Sequence, residues 1–130
     1  MQNDLMTVVV VRPNEAPTVE RIENSLEAQQ QVVGGYIEPC YFDDGTTCLV
    51  CNEEGKLDGL QGNRRTEFGV IAGTFFVCGL GEEDFRSLTD DEVDKYMEKF
   101  SEPENITDEE VQADMDCFFI PTDNVFMKGW

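Results

Sequence analysis

Cys40, Cys48, Cys51, Cys78 and Cys117 are the residues of this chain with the widest chemical repertoire. Cys48-Leu49-Val50-Cys51 has the CxxC spacing of zinc and redox sites, with Cys40 eight residues before it. On a strand, however, positions 48 and 51 differ by an odd number, so their side chains leave opposite faces and do not converge on one metal. A thioredoxin-like dithiol would open a helix after a strand, which this run does not. Small core residues are the simpler reading, because free cysteine packs as a hydrophobe. No metal site and no cofactor are therefore expected.

The second candidate is the Gly-rich segment holding Gly59, Gly62, Asn63, Arg64 and Arg65, the one local concentration of positive charge. Read as a loop, it could bring backbone amides and guanidinium groups to a phosphate, a nucleotide or a nucleotide second messenger, beside an aromatic such as Tyr36 or Phe68. Against this, no Walker or dinucleotide fingerprint is present, and Arg64 and Arg65 could simply pair with neighbouring acids. The acid pairs Asp43-Asp44 and Glu53-Glu54 read as turns, lacking the alternating ligand pattern of a calcium loop. There is no histidine, which removes imidazole acid–base chemistry, Ser/His and Cys/His nucleophile pairs and every zinc site that needs imidazole. The expected mode of action is binding, not catalysis.

These residues sit in a chain of 130 residues with 28 acids and 9 bases, a net charge of −19. Hydrophobic residues make up 40%, including nine Phe, which is enough apolar surface for a packed core. So negative a field repels a polyanion, and direct binding of DNA or RNA is excluded as an expectation. The N-terminus carries no basic region followed by a long apolar run, and no stretch approaches the roughly 18 apolar residues of a membrane span. An odd number of cysteines in a chain without an export signal points to free thiols and to the cytoplasm.

The elements that must position these groups follow from local pattern. Thr7 to Arg12 and Thr18 to Ile22 read as strands around a Pro13 to Pro17 turn. Asn24 or Ser25 caps a short helix, with Glu27 at a capping-box position relative to Asn24, Leu26, Ala28 and Val32 or Val33 inward, and Gly34 as its stop. Tyr36 to Phe42, interrupted by Pro39, reads as an edge strand, turned by Asp43-Asp44-Gly45 into a strand over Thr46 to Asn52. Leu57 to Phe68 reads as a long loop, and Val70 to Gly79 as one central strand buried on both faces. Thr89 and Glu92 form a capping box for a helix with Val93, Tyr96, Met97 and Phe100 inward, and Thr107 starts another short helix holding Val111 and Met115. The expected fold is α+β, a small mixed or antiparallel sheet of about five strands with two to three short helices. Residues 1–100 form the compact domain, and residues 101–130 an acidic helical and aromatic appendage.

Charge is concentrated in the second half. From Glu82 to Asp116 there are 15 acids against three bases. Acids at helix N-termini and a solvated acidic surface account for part of this. A duplex presents one phosphate charge per about 1.7 Å of axis and helix residues rise about 1.5 Å, so acids repeated along a helix can imitate a phosphate row. The residues expected to carry that field are Asp90, Asp91, Asp94, Glu98, Glu102, Asp108, Glu109 and Glu110. Phe126 and Trp130, with Phe85, are candidate apolar anchors at the partner interface, although such aromatics commonly belong to a core.

Five ordered motifs carry a resemblance: Val33-Gly34-Gly35-Tyr36-Ile37-Glu38, Leu49-Val50-Cys51-Asn52-Glu53-Glu54-Gly55-Lys56, Asn63-Arg64, Ile71-Ala72-Gly73-Thr74-Phe75 and Ser87-Leu88-Thr89-Asp90. In order and spacing, residues 7–100 resemble a family of small uncharacterised domains from phages and conjugative or integrated elements of Firmicutes and related bacteria. The resemblance implies a compact α+β domain on mobile DNA among accessory genes that often include antirestriction functions; it supplies no catalytic residues. The expectation is an inhibitor of a bacterial defence system, of anti-restriction or anti-CRISPR type. Its acidic helices would occupy the basic channel of a host nuclease or other nucleic-acid-binding protein. The alternatives are a nucleotide-binding protein using Tyr36, Asn63, Arg64 and Arg65, and an oligomerisation module, a homodimer built through residues 117–130.

Overall fold

Alternating valines decide the centre of the molecule. In a strand, successive side chains face opposite ways, so a run that is apolar at every position needs cover on both faces. In strand β1 (Leu5–Val11) the four residues Val8–Val11 are such a run: Val8 and Val10, with Met6, enter one hydrophobic cluster, while Val9 and Val11 enter another on the opposite face. The computed structural model describes residues 5–115.

Beyond β1 the order is β2 (Thr18–Glu23), α1 (Leu26–Val33), β3 (Ile37–Tyr41), β4 (Thr47–Asn52), β5 (Gly62–Thr66), β6 (Gly69–Ala72), β7 (Phe75–Leu80), β8 (Phe85–Arg86) and α2 (Asp90–Lys99). A further helical run covers 108–115. The main sheet runs β2-β1-β7-β4-β3, with β8 pairing the far end of β7, and β5 and β6 form a separate two-stranded ribbon. Every pairing is antiparallel. The fold is α+β, as expected, with the Pro39 strand at an edge and Val77 of β7 paired to Val9 on one side and Leu49 on the other.

The two faces take different helices. Phe76, Cys78, Cys48 and Val50 pack with Val33 and the partly buried Val32 of α1. Phe75, Val77, Leu49 and Cys51 pack with Tyr96, Phe100, Val93 and Met97 on and just after α2. Covering both faces explains why an antiparallel sheet, which often leaves one face in water, here reads as continuous apolar runs.

Three local expectations are corrected. Of the two expected caps of α1 it is Ser25 whose hydroxyl accepts from the Ala28 amide; Val33 and Val32 turn inward as expected, but Leu26 is 59% exposed and Gln29 is buried in its stead. Asn24 instead accepts a hydrogen bond from Gln29 at 3.0 Å, which binds a polar residue in an apolar layer. The span from Val70 to Gly79 is two strands, because Gly73 at φ +86 breaks the run with a left-handed turn that other L-residues rarely adopt. The span from Leu57 to Phe68 is not a loop throughout, since β5 begins at Gly62. A register shift between Gly62 and Arg64 bulges β5, and both Asn63 and Arg64 are fully buried.

Candidate functional site

The acidic helix is built by its own sequence and then pinned at both ends. Thr89 accepts from the Glu92 amide and Glu92 returns a hydrogen bond from the Thr89 amide at 2.9 Å, so the capping box is complete. Arg86 grips the Glu92 carboxylate at 2.9 and 3.1 Å, and that hydrogen-bonded pairing lowers the carboxyl's pKa. In mid-helix, the Tyr96 hydroxyl shares a 2.6 Å hydrogen bond with Thr47, which in turn reaches Asp44 at 2.8 Å. Burial would raise the Asp44 carboxyl. The Thr46 amide and the Thr47 hydroxyl and amide, with Lys95 nearby, outweigh it and hold the pKa at about 2. Asp44 is thus a turn residue that also ties the β3–β4 hairpin to α2.

At the C-terminal end lies Arg64. Its guanidinium donates to the carbonyls of Phe100 at 2.9 Å and Glu15 at 2.8 Å and to Asn63 Oδ1 at 2.8 Å. Burial lowers the pKa of this group, against the more distant pull of Glu104. Asn63 donates to the carbonyls of Val11 and Gly73, both at 2.9 Å, so it clasps the end of β1 to the break before β7. Arg65 faces the other way and is held by Glu104 at 3.0 Å and Glu110 at 2.6 Å. The hydrogen bond from Arg65 lowers the pKa of Glu110. Asn63 and Arg64 therefore present no surface at all, and the half-exposed Arg65 is neutralised by two carboxylates. Tyr36 is 68% exposed ahead of β3 and shares no surface with the two buried residues.

The acids have the opposite fate. Asp90, Asp91, Asp94, Glu98, Glu102, Asp108 and Glu109 are all exposed, and Glu110 is the member of the set taken up by an arginine. Nearby cations are committed elsewhere: Lys95 to Asp44 at 3.5 Å, Lys99 to Glu67 at 3.2 Å and Arg86 to Glu92. The segment after α2 is held to the β5–β6 ribbon by Ile106 and Val111, which pack with Val70 and Ala72. A Cβ on Gly62 would lie 2.6 Å from Ile106, so the ribbon's glycine is what lets that segment sit so close. Phe85 is half-buried against the α1 face, whereas Phe126 and Trp130, and all of 117–130, lie outside the described residues.

A feature not anticipated from sequence is a cleft of about 480 Å³ between β3, β4, the turn after β4, β6 and the 108–115 helix. Cys40, Cys51 and Phe68 line it, and an ion pair between Lys56 and Asp114 spans its rim. As the odd spacing predicts, Cys48 and Cys51 lie on opposite faces. Cys51 instead shares its face with Cys40, and Cys48 stands opposite Cys78 in the ladder. Parity about the Asp43-Asp44-Gly45 turn was the signal that could have found the first pair, whereas the second rests on the long-range register of β4 with β7. Among the described residues, no three His, Cys, Asp or Glu side chains form a group that could hold a metal ion. No described helix is long and apolar enough to cross a membrane.

A small α+β domain, with a sheet covered on both faces and an acidic helix locked to it, is the class these observations define. Residues 6–101 match the model of the family described as Domain of unknown function (DUF3846), and the chain belongs to that family. No curated protein and no solved structure matches it.

Proposed function

We propose that this protein acts by binding, presenting the acidic face of α2 and the segment that follows to the positively charged groove of a nucleic-acid-handling protein. The observation that carries this reading is the separation of charges: of the eight acids expected to carry the field, seven stand exposed and outside any ion pair, while the neighbouring cations are spent on other acids. Asp91, Asp94 and Glu98 follow one another at three- and four-residue spacing, opposite the side of the buried Tyr96 and Phe100 and the half-buried Val93. That row alone supplies one charge per about 5 Å of helix axis, sparser than the roughly 3.4 Å between phosphates along one DNA strand. Glu102, Asp108 and Glu109 add further exposed charge from the adjoining segment. Electrostatic complementarity of this kind speeds encounter and selects basic partners.

Inhibition of a nuclease of a bacterial defence system, by a protein carried on a mobile element, is the biological setting that fits such a surface. The test is binding to a captured basic partner by wild type and by the D91N/D94N/E98Q/E102Q variant, across salt. Loss of affinity and a flatter salt dependence in the variant support the reading, and equal affinity at every salt concentration refutes it.

A further inference from the structure

Among the described residues, Cys40 and Cys51 are the cysteines that line a cleft. Strand β3 is the sheet edge, and its pairing of Glu38 with Cys51 and Cys40 with Leu49 makes Cys40 and Cys51 diagonal neighbours on one face. Both line the 480 Å³ cleft, Cys40 half-buried and Cys51 5% exposed behind it, with the Cys51 sulfur 3.7 Å from the Glu38 carbonyl. The cleft is of a size that holds a small organic molecule, and its walls include Phe68, Val70 and Met115. Its charged groups are Glu38, Glu53 and Asp114 against the single Lys56, a negative balance that disfavours anions.

We propose that Cys40 is a thiol–disulfide exchange site for neutral or cationic low-molecular-weight disulfides, with Cys51 as the resolving thiol. The Cys40 thiolate attacks one sulfur of the small disulfide, the S–S bond breaks, and one half leaves as a thiolate that takes up a proton. The Cys51 thiol loses its proton to solvent and displaces the second half, which leaves as a thiolate and is protonated in turn. The protein dithiol is oxidised by two electrons and the small disulfide is reduced to two thiols. A hydrogen bond from the Cys51 thiol lowers the Cys40 pKa, with Lys56 adding to it against burial and Glu38, which favours Cys40 as the attacking group. Diagonal ladder positions are about 7–8 Å apart between Cα atoms and a disulfide takes about 4.4–6.8 Å, so closure draws in a strand whose outer edge is unpaired. Cys48 and Cys78 are directly opposed but fully buried. The hydrogen bond within each pair, together with burial, raises the pKa of Cys51 as it does that of Cys78, so what sets Cys40 and Cys51 apart is their place on the cleft.

The experiment incubates the folded full-length chain with cystamine or with oxidised glutathione, quenches in acid and maps modified cysteines by mass spectrometry. The expected result is consumption of Cys40 about tenfold faster by cationic cystamine than by anionic oxidised glutathione. The wild type should end as a Cys40–Cys51 disulfide, and C51S or C51A should stop at a cysteamine adduct on Cys40. C40S should lose the fast phase. Modification at Cys117 or at the buried pair with Cys40 untouched, equal rates for the two reagents, or a fast phase that survives in C40S would each overturn the proposal. The wild-type map alone decides the site, whether or not the variants fold.

Discussion

The guanidinium of Arg64 donates a 2.9 Å hydrogen bond to the carbonyl of Phe100, the residue that closes the acidic helix. The chain thus uses a buried cation to satisfy a helix C-terminus whose free carbonyls carry partial negative charge. The same contact removes from the surface the arginine that sequence alone marks as an anion ligand.

Replacing Arg64 by alanine leaves two buried acceptors, on Phe100 and Asn63, and a part-buried one on Glu15 without their donor. The expected loss is about 3 kcal/mol, and R64K recovers part of it because an ammonium cannot reproduce the fork. R65A, which releases two surface carboxylates from a half-exposed side chain, should melt close to the wild type. Thermal and urea denaturation of the three variants checks this order; equal melting of R64A and R65A would contradict it.

Asp44 gives a pH signature. Its folded pKa of about 2 lies below the ordinary 3.8, so its contribution is fully present above the unfolded value and is lost as pH falls through the folded one. D44N should therefore be less stable than wild type at neutral pH, with the difference shrinking from about pH 4 downward and vanishing only below about pH 2. A difference constant from pH 7 to pH 2 would show that the charge on Asp44 plays no part.

The capping box makes α2 sensitive at its first turn. T89A removes an acceptor for the Glu92 amide and should cost about 1 kcal/mol. Y96F, which breaks the link to Thr47, should cost a similar amount. Denaturant midpoints with unchanged slopes would confirm that both act on stability alone.

Local chemistry announced much of this structure. The Thr89–Glu92 box, the inward Val93, Tyr96 and Phe100, the Pro39 edge strand and the Asp44 turn were legible because each depends on residues close in sequence. The β5 strand was not, since Gly62-Asn63-Arg64-Arg65-Thr66 has neither alternation nor apolar content, and its burial comes from a bulge and from carbonyls supplied by residues 15 and 100. Gly73 split one apolar run into two strands, which hydrophobicity cannot register. The acidic face was visible as composition, but which acids stay free depended on where Lys95 and Lys99 found partners. The cleft required the β3–β4 hairpin to meet β6 and a helix about 60 residues further along the chain, and only the parity of Cys40 and Cys51 hinted at it.

Neutralising the exposed acids should stabilise the fold while weakening function. In D91N/D94N/E98Q/E102Q, self-repulsion falls while Asp90 and Glu92 remain to complement the helix N-terminus. The variant should melt at or above the wild-type temperature at low salt, with the gain shrinking as salt rises. Marked destabilisation would mean that these carboxylates serve the fold.

The most direct test is capture from host lysate with tagged wild-type and quadruply neutralised protein, washed at low and at about 0.5 M salt and challenged with competitor duplex DNA. The acidic-face account predicts that wild type retains one basic nucleic-acid-binding protein, releases it to high salt or to duplex DNA, and that the neutralised protein does not retain it. Retention of the same partner by both proteins, indifferent to salt and to DNA, would contradict it.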